Sequence, residues 1–184
     1  MTFGADERVP PPPAADEATT LLAFLDYQRD TLRWKCSGLD AGQLSTSLPP
    51  STSLPPSTVT LGGLLKHLSV VEAGWLNLTF AGGVARPSWL AEMDPENDAW
   101  SFTTAAGAEP GQLMAWFDES IEVSDRVIAE ALAGPDGLSS LSVQEDDGTR
   151  VSLRWILCHL IEEYARHNGH ADLIRESIDG ATGE

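Results

Sequence analysis

The chain has few cysteines and no long apolar runs, and each shortage excludes a class of protein. Its 184 residues contain only two cysteines, Cys36 and Cys158, and no CxxC motif. A disulfide framework is therefore not expected. Both cysteines fall inside helical patterns, which predicts buried, inert thiols. No apolar run approaches the roughly 20 residues that a membrane span needs.

Basic residues are also scarce. The sequence has 28 acidic against 11 basic residues and a formal net charge of -17. Nucleic acids and anionic membrane surfaces are bound through clusters of Lys and Arg, so neither is an expected partner. The amino terminus lacks the basic start and apolar stretch of a signal peptide, which favours a cytoplasmic location.

The length and the distribution of proline predict one domain with a tail. Residues 1–15, with a proline run at Pro10–Pro13, are predicted to be a disordered tail, and residues 16–180 to be the folded domain. A perfect tandem repeat, STSLPP, occupies Ser45–Pro50 and Ser51–Pro56. We interpret it as an insertion in a loop, which costs little to close, and assign it no function.

Four long helical patterns and no convincing strand set predict an all-α four-helix bundle. The patterns run from an N-cap at Asp16 to about residue 36, over about 61–82 after Thr60, over about 109–133, and from Ser152 to about 178. Residues 84–108 are predicted to be a long irregular connection. Such connections are uncommon unless they cover something.

The second pattern places a histidine at the centre of its apolar stripe. On a helical wheel at about 100° per residue, apolar or small residues surround His67 within roughly 60°. Glu72 falls on the opposite side of this wheel and is expected to be solvated. His67 is therefore predicted to point into the protein.

The fourth pattern contains a glutamate and a histidine on one buried face. Glu163 and His167 are four residues apart, about one helical turn, and both lie in the apolar stripe. His159 and His170 fall on the margin of that stripe. A carboxylate in an apolar setting costs several kcal/mol unless a charge or hydrogen bond compensates it, and a divalent cation would do so.

These three residues predict a metal site in the interior of the protein, with His67, Glu163 and His167 as ligands. Imidazole and carboxylate both suit zinc, and three protein ligands leave a fourth position open, as in catalytic zinc sites. The ligand types also admit nickel or iron. The alternative is that His67 is a hydrogen-bonded core histidine and that Glu163 pairs with a neighbouring Arg or His.

Two segments carry a resemblance to a known family. They are LPPSTVTLGGLLKHLSVVEAGWL (Leu54–Leu76) and SLRWILCHLIEEYARHNGHADLIRE (Ser152–Glu176). Through them the chain resembles the DinB-like superfamily over about residues 18–178, most closely the actinobacterial branch related to mycothiol-dependent maleylpyruvate isomerase. Many members have a histidine where Glu163 stands, whereas the isomerase branch has a glutamate. The resemblance implies a four-helix bundle with a metal on its axis.

The resemblance further implies a metal-dependent enzyme that acts with a low-molecular-weight thiol such as mycothiol, of the S-transferase or isomerase type. A zinc ion with an open position can strip the proton from a thiol at neutral pH. Tyr164, Arg166 and His170 are the residues on the same helix proposed as acid or base.

Three other readings stay open at this point. One is a hydrolase that uses zinc-bound hydroxide. Another is a metal-binding bundle without catalysis, stress-related or structural. The third is a homodimer with a purely structural role, because bundles of this superfamily often pair.

Overall fold

The computed structural model describes residues 4, 7–48, 58–83, 87–94, 97 and 99–182. These residues are mostly helical and contain no strand, only isolated bridges, which confirms the all-α prediction. The α-helices are α1 Glu17–Cys36, α2 Ala41–Leu44, α3 Leu61–Glu72, α4 Trp100–Ala105, α5 Pro110–Ala133 and α6 Leu153–Asp179. A π-helix, Ala73–Phe80, follows α3, and 3-10 turns occupy Ser88–Glu92 and Gly137–Ser139. Within the described residues, no helix has the length and apolar character to span a membrane.

Three of the predicted helix starts are confirmed by their caps. The side chains of Asp16, Thr60 and Ser152 each accept a hydrogen bond from the backbone N–H three residues further on. These bonds satisfy donors that the first turn of a helix leaves unpaired. The carboxyl end of α6 is closed by Gly180, whose φ of 77° suits glycine.

The second predicted helix differs from the structure in its last third. The prediction was one helix to residue 82, whereas the α-helix ends at Glu72 and continues as the π-helix Ala73–Phe80. Gly74 lies in this segment and lowers its α-helical preference. A π-turn holds more residues than an α-turn, so the side chains after residue 72 point in directions that an α-helical wheel does not give.

The connection predicted to be irregular contains two short helical pieces. Besides the turn Ser88–Glu92, helix α4 packs on α3. The Lys66 ammonium holds it there by donating to Thr104 Oγ1 at 2.7 Å and lying over the Trp100 ring at 4.1 Å. Six residues are too few to show a helical period, which is why the sequence pattern did not reveal α4. The second STSLPP copy and the end of the first lie outside the described residues.

The four long helices share one leucine-rich core. Helix α1 packs along α6, and α3 contacts α1, α5 and α6. Tail residue Arg8 lies over the rings of Tyr27 and Trp34 on α1, while the division of the chain at residue 16 stays a prediction. The fully buried aliphatic side chains of this core include Leu25, Leu32, Leu61, Leu64, Leu65, Leu68, Leu76, Leu113, Leu153, Leu157 and Leu160.

The two cysteines differ in exposure. Cys36 is buried, as predicted, and burial raises the pKa of its thiol, which therefore stays protonated at neutral pH. Cys158 is exposed, so the prediction of a buried thiol is wrong there. It lies on α6 between Leu157 and Leu160, both fully buried, and its side chain falls on the outer face of that helix.

A buried ion pair crosses the core between α1 and α3. Arg29 donates to both carboxylate oxygens of Glu72, from Nε at 2.7 Å and from Nη2 at 2.9 Å. Tyr164 donates to the same carboxylate at 3.1 Å, and Arg29 also contacts Asp26 and Asp125. The expectation that Glu72 is solvated is therefore wrong. Its side chain has no exposed surface, because the side of α3 opposite His67 faces other helices.

The side chains of this network come from all four long helices, and acidic groups surround the one basic group. Burial alone would disfavour the Arg29 charge, but the Glu72 carboxylate outweighs it and the pKa of Arg29 lies well above its usual value. Burial, followed by the charge of Glu72, raises the pKa of Tyr164 well above its usual value, so its hydroxyl keeps its proton and donates. At neutral pH, Arg29 therefore stays charged beside the Glu72 carboxylate, and Tyr164 stays protonated.

Replacement of Glu72 should destabilise the fold strongly. In Glu72→Gln the Arg29 charge stays buried without its bidentate partner, and we expect a loss of about 3 kcal/mol in the free energy of unfolding. Urea unfolding followed by circular dichroism measures it. The control is Glu162→Gln, which removes an exposed partner of Arg166 and should cost less than about 1 kcal/mol. Equal losses in the two variants would contradict the role assigned to Glu72.

Candidate metal centre

The structure brings together the three residues that the sequence singled out. His67 comes from α3, and Glu163 and His167 come from successive turns of α6. One ligand atom from each lies within 4.8 Å of the others. Glu163 Oε2 is 3.5 Å from His167 Nε2 and 3.9 Å from His67 Nε2. Ligands about 2.1 Å from a tetrahedral zinc are about 3.4 Å apart, so these separations suit one ion.

Helices α3 and α6 run antiparallel, and side-chain contacts fix their register at the candidate centre. His67 faces Glu163 and His167, and five residues later Glu72 accepts a hydrogen bond from Tyr164. Both contacts join α3 to α6 within two turns. The buried Glu72 network therefore lies directly beside the candidate metal ligands.

Helix α4 covers one side of His67. The Phe102 ring stacks on the His67 ring, with centroids 5.2 Å apart and planes at 24°. A Cβ at Gly63 would lie 2.6 Å from Phe102 Cδ1, so the missing side chain of this glycine lets α4 approach α3. Part of the connection predicted to cover something thus packs against the first candidate ligand.

The two imidazoles are kept in their neutral form. Burial lowers the pKa of His67, and the nearby Glu163 charge only partly offsets this effect. Burial and the neighbouring His67 lower the pKa of His167 to about 4. A neutral imidazole has a free lone pair, which is the form that binds a metal.

The polar atoms of the three residues are not used in ordinary hydrogen bonds with one another. Such bonds span about 2.7–3.2 Å, which is shorter than either histidine–glutamate separation. His167 Nδ1 is buried and has no hydrogen-bond partner among the described residues. The two neutral imidazoles and the carboxylate thus have lone pairs available to coordinate a metal, and this donor set fits a divalent ion.

The other residues singled out on α6 lie at different distances from this centre. Tyr164 is fully buried and turned to Glu72. Arg166 Nη1 is 4.0 Å from Glu163 Oε1, and the Arg166 side chain is largely exposed and paired with Glu162. The exposed His170 ring lies 5.7 Å from the His167 ring. Arg166 and His170 are therefore beside the centre, while Tyr164 belongs to the core network.

Sequence reasoning missed two residues that shape the centre. Phe102 lies in a helix too short for a periodic pattern. Arg29 lies among apolar neighbours at Leu25 and Leu32. A basic residue within an apolar stripe signals a buried acidic partner, and this signal was available in the sequence.

The stability of the metal-free protein should fall on acidification because of His167. Its pKa is about 6.5 when unfolded and about 4 when folded. Its stabilising contribution is therefore complete above about pH 6.5 and declines as the pH falls toward 4. We expect the chelator-treated wild type to lose more stability over this range than His167→Asn, as measured by urea unfolding at a series of pH values. Parallel pH dependences in the two proteins would contradict the assignment.

Comparison with known protein families identifies a match over most of the chain. No curated protein matches the chain. Residues 20–180 match the family described as Mycothiol-S-transferase, and this range includes the three residues of the candidate centre as well as Arg29 and Glu72. Because the match covers most of the sequence, the chain belongs to the mycothiol-S-transferase family.

Proposed function

We propose that the protein is a metal-dependent enzyme that joins a low-molecular-weight thiol, mycothiol in the first instance, through its sulfur to an electrophilic substrate, with loss of the thiol proton. One divalent ion, preferably zinc, is held by His67, Glu163 and His167. The observation that carries this proposal is the convergence of the three ligand atoms within 4.8 Å, together with membership of the family. S-transfer is preferred to isomerisation because the family is described by it.

The fold that we propose around the site is a four-helix bundle of α1, α3, α5 and α6 with the ion on its axis. The long helices pack on one core, and the ligands project inward from two of them. Ligand sites built from side chains on facing helices are typical of such bundles. The homodimer and the cytoplasmic location stay predictions.

The donor set favours a catalytic over a purely structural ion. Two histidines and one glutamate supply three protein ligands, and zinc sites of this composition keep a fourth position for water or substrate. The side chains of His67, Glu163 and His167 retain 26%, 17% and 15% exposure, so the centre is reachable from one side. A bound zinc would lower the pKa of a coordinated thiol and supply a thiolate at neutral pH.

The residues of the chain prepare the centre for this role. Burial keeps both imidazoles neutral, so protons compete weakly for them at neutral pH. Glu163 supplies the one negative charge among the ligands, and the Phe102 ring shields His67 on one side. Arg166 and His170 lie at the exposed edge, where they can orient an incoming substrate or exchange a proton with it.

Loss of one ligand should remove the metal. We expect about one zinc, nickel or iron per wild-type chain by elemental mass spectrometry and a much lower content in His67→Ala and His167→Ala. Glu163→Gln should weaken metal affinity by at least about ten-fold, because the amide is a neutral and poorer ligand. His159→Ala is the matched control, since it removes a histidine of α6 outside the centre. Unchanged metal content in the ligand variants would refute the site.

The reaction class is tested by its dependence on thiol. We expect the zinc-loaded protein to accelerate the loss of mycothiol in the presence of an alkylating electrophile, followed by titration of free thiol. His67→Ala should reduce this rate by at least about 100-fold, because the thiolate is no longer formed at the centre. Turnover of an ester without thiol, at a rate that thiol does not change, would favour the hydrolase instead.

A further inference from the structure

A cluster of three rings lies between the π-helix and α6. The His159 ring lies parallel to the Trp155 ring, with an interplanar angle of 8° and centroids 5.1 Å apart. Trp75 closes the cluster, with its ring 4.8 Å from His159 and 5.2 Å from Trp155. We call these three residues the ring cluster. None of them takes part in the candidate metal centre described above.

Two members of the ring cluster lie in the same winding row of α6 residues as two of the proposed metal ligands. On α6, the residues Trp155, His159, Glu163 and His167 follow one another at intervals of four. Each interval is about 6 Å along the helix, so His159 lies about 6 Å and Trp155 about 12 Å from Glu163 along the axis. Successive residues at this spacing are turned by about 40° around the helix, so His159 lies about 40° and Trp155 about 80° around α6 from Glu163.

The partner helix shows the same order. His67 faces Glu163 and His167, whereas Trp75, eight residues further on, faces Trp155 and His159. In this antiparallel pair, moving forward along α3 is moving backward along α6. The ring cluster and the metal centre are therefore successive parts of one seam between the two helices.

Packing alone accounts for only part of the ring cluster. Trp75 packs against the hydrophobic core, but Trp155 is 45% exposed. His159 covers one face of the Trp155 indole, which leaves the exposed part of the ring to the solvent. An indole presented in this way is a stacking surface for a ligand that has a flat apolar face of its own.

We propose that the ring cluster is a second subsite that binds the non-reacting part of the substrate, with Trp155 as the stacking surface. The ligand chemistry is a six-membered ring with an apolar face, either the C–H face of a sugar-like ring or an arene. The inference rests on the proposed function, because it places the reacting sulfur at the metal and the ring about 6–12 Å away along α6. A two-carbon thiol is too short to span this distance.

The subsite gives the enzyme a means to choose among thiols. A ligand that fills both places gains stacking on Trp155 in addition to coordination, whereas a small thiol gains coordination alone. If the thiol carries the six-membered ring, the ring cluster determines which thiol the enzyme uses. A six-membered ring on the electrophile would make it a determinant of acceptor choice.

The test compares Trp155→Ala with the wild type, both loaded with zinc. We measure the Kd of mycothiol and of 2-mercaptoethanol by titration calorimetry, and the KM of an aromatic electrophile. The expected result is a rise of about ten-fold in the Kd of mycothiol or in the KM of the electrophile, with the Kd of 2-mercaptoethanol unchanged. Trp155→Phe should restore most of the loss, because it restores a ring.

Leu173→Ala is the matched control, since Leu173 is an exposed apolar residue of α6 beyond His167. A rise confined to mycothiol places the ring on the thiol, and a rise confined to the electrophile places it on the acceptor. No change in either constant overturns the proposal, and so does an equal change in Leu173→Ala.

Metal content and 2-mercaptoethanol binding report on the proposed function independently of the ring cluster. A second readout needs no metal: the indole N–H signals of the metal-free protein in nuclear magnetic resonance during titration with methyl glucoside or benzyl alcohol. A shift of the signal that is lost in Trp155→Ala supports the subsite and identifies the ring type. A signal unmoved by both compounds counts against it.

Discussion

The ion pair between Arg29 and Glu72 is the contact on which the arrangement of the helices depends. Two opposite charges buried in an apolar core cost several kcal/mol to desolvate and are tolerated only when their partners are complete. Here the carboxylate accepts two hydrogen bonds from Arg29 and one from Tyr164, while Asp26 and Asp125 both accept from Nη1 of the guanidinium. A shift of one helix against another would leave a buried charge without its partner. The pair therefore selects one packing arrangement.

The same pair fixes the register of the candidate centre. Glu72 follows His67 by five residues on α3, and Tyr164 follows Glu163 directly on α6. The hydrogen bond from Tyr164 to Glu72 thus joins the helices within about two turns of the candidate ligands. The hydrogen bond between Tyr164 and Glu72 links the two helices without an ion. An ion held by His67, Glu163 and His167 would add a second link. The first link lets neutral imidazoles and a carboxylate approach one another before metal arrives.

The sequence predicted the elements whose signals are local. Asp16, Thr60 and Ser152 are N-caps, and a cap is read from a few neighbouring residues. The spacing of Glu163 and His167, and the apolar neighbours of His67, also predicted which residues the fold brings together. Each of these signals lies within one helix, so it can be read from the sequence without knowing how the helices pack.

The prediction failed where a helix has more than one buried side. A helical wheel assumes one apolar stripe and one solvated face, and on that basis Glu72 was expected in water. Helix α3 instead contacts α1, α4, α5 and α6, so the side opposite His67 is buried as well. The polar residues on that side then need partners from distant segments, such as Arg29, and Phe102 likewise comes from a segment without its own pattern. Such pairings depend on tertiary contacts.

The π-helix that follows α3 separates two regions of the chain that must each keep a fixed orientation. Before it, Glu72 is held by Arg29 and Tyr164. At its end, the carbonyl oxygens of Thr79 and Phe80 accept hydrogen bonds from the backbone N–H groups of Gln144 and Val143. A wide turn with surplus residues between two anchored points can take up the gain or loss of a single residue by changing its winding. This segment is therefore where the winding of the chain can change without rotating His67 and Glu72, which precede it on α3.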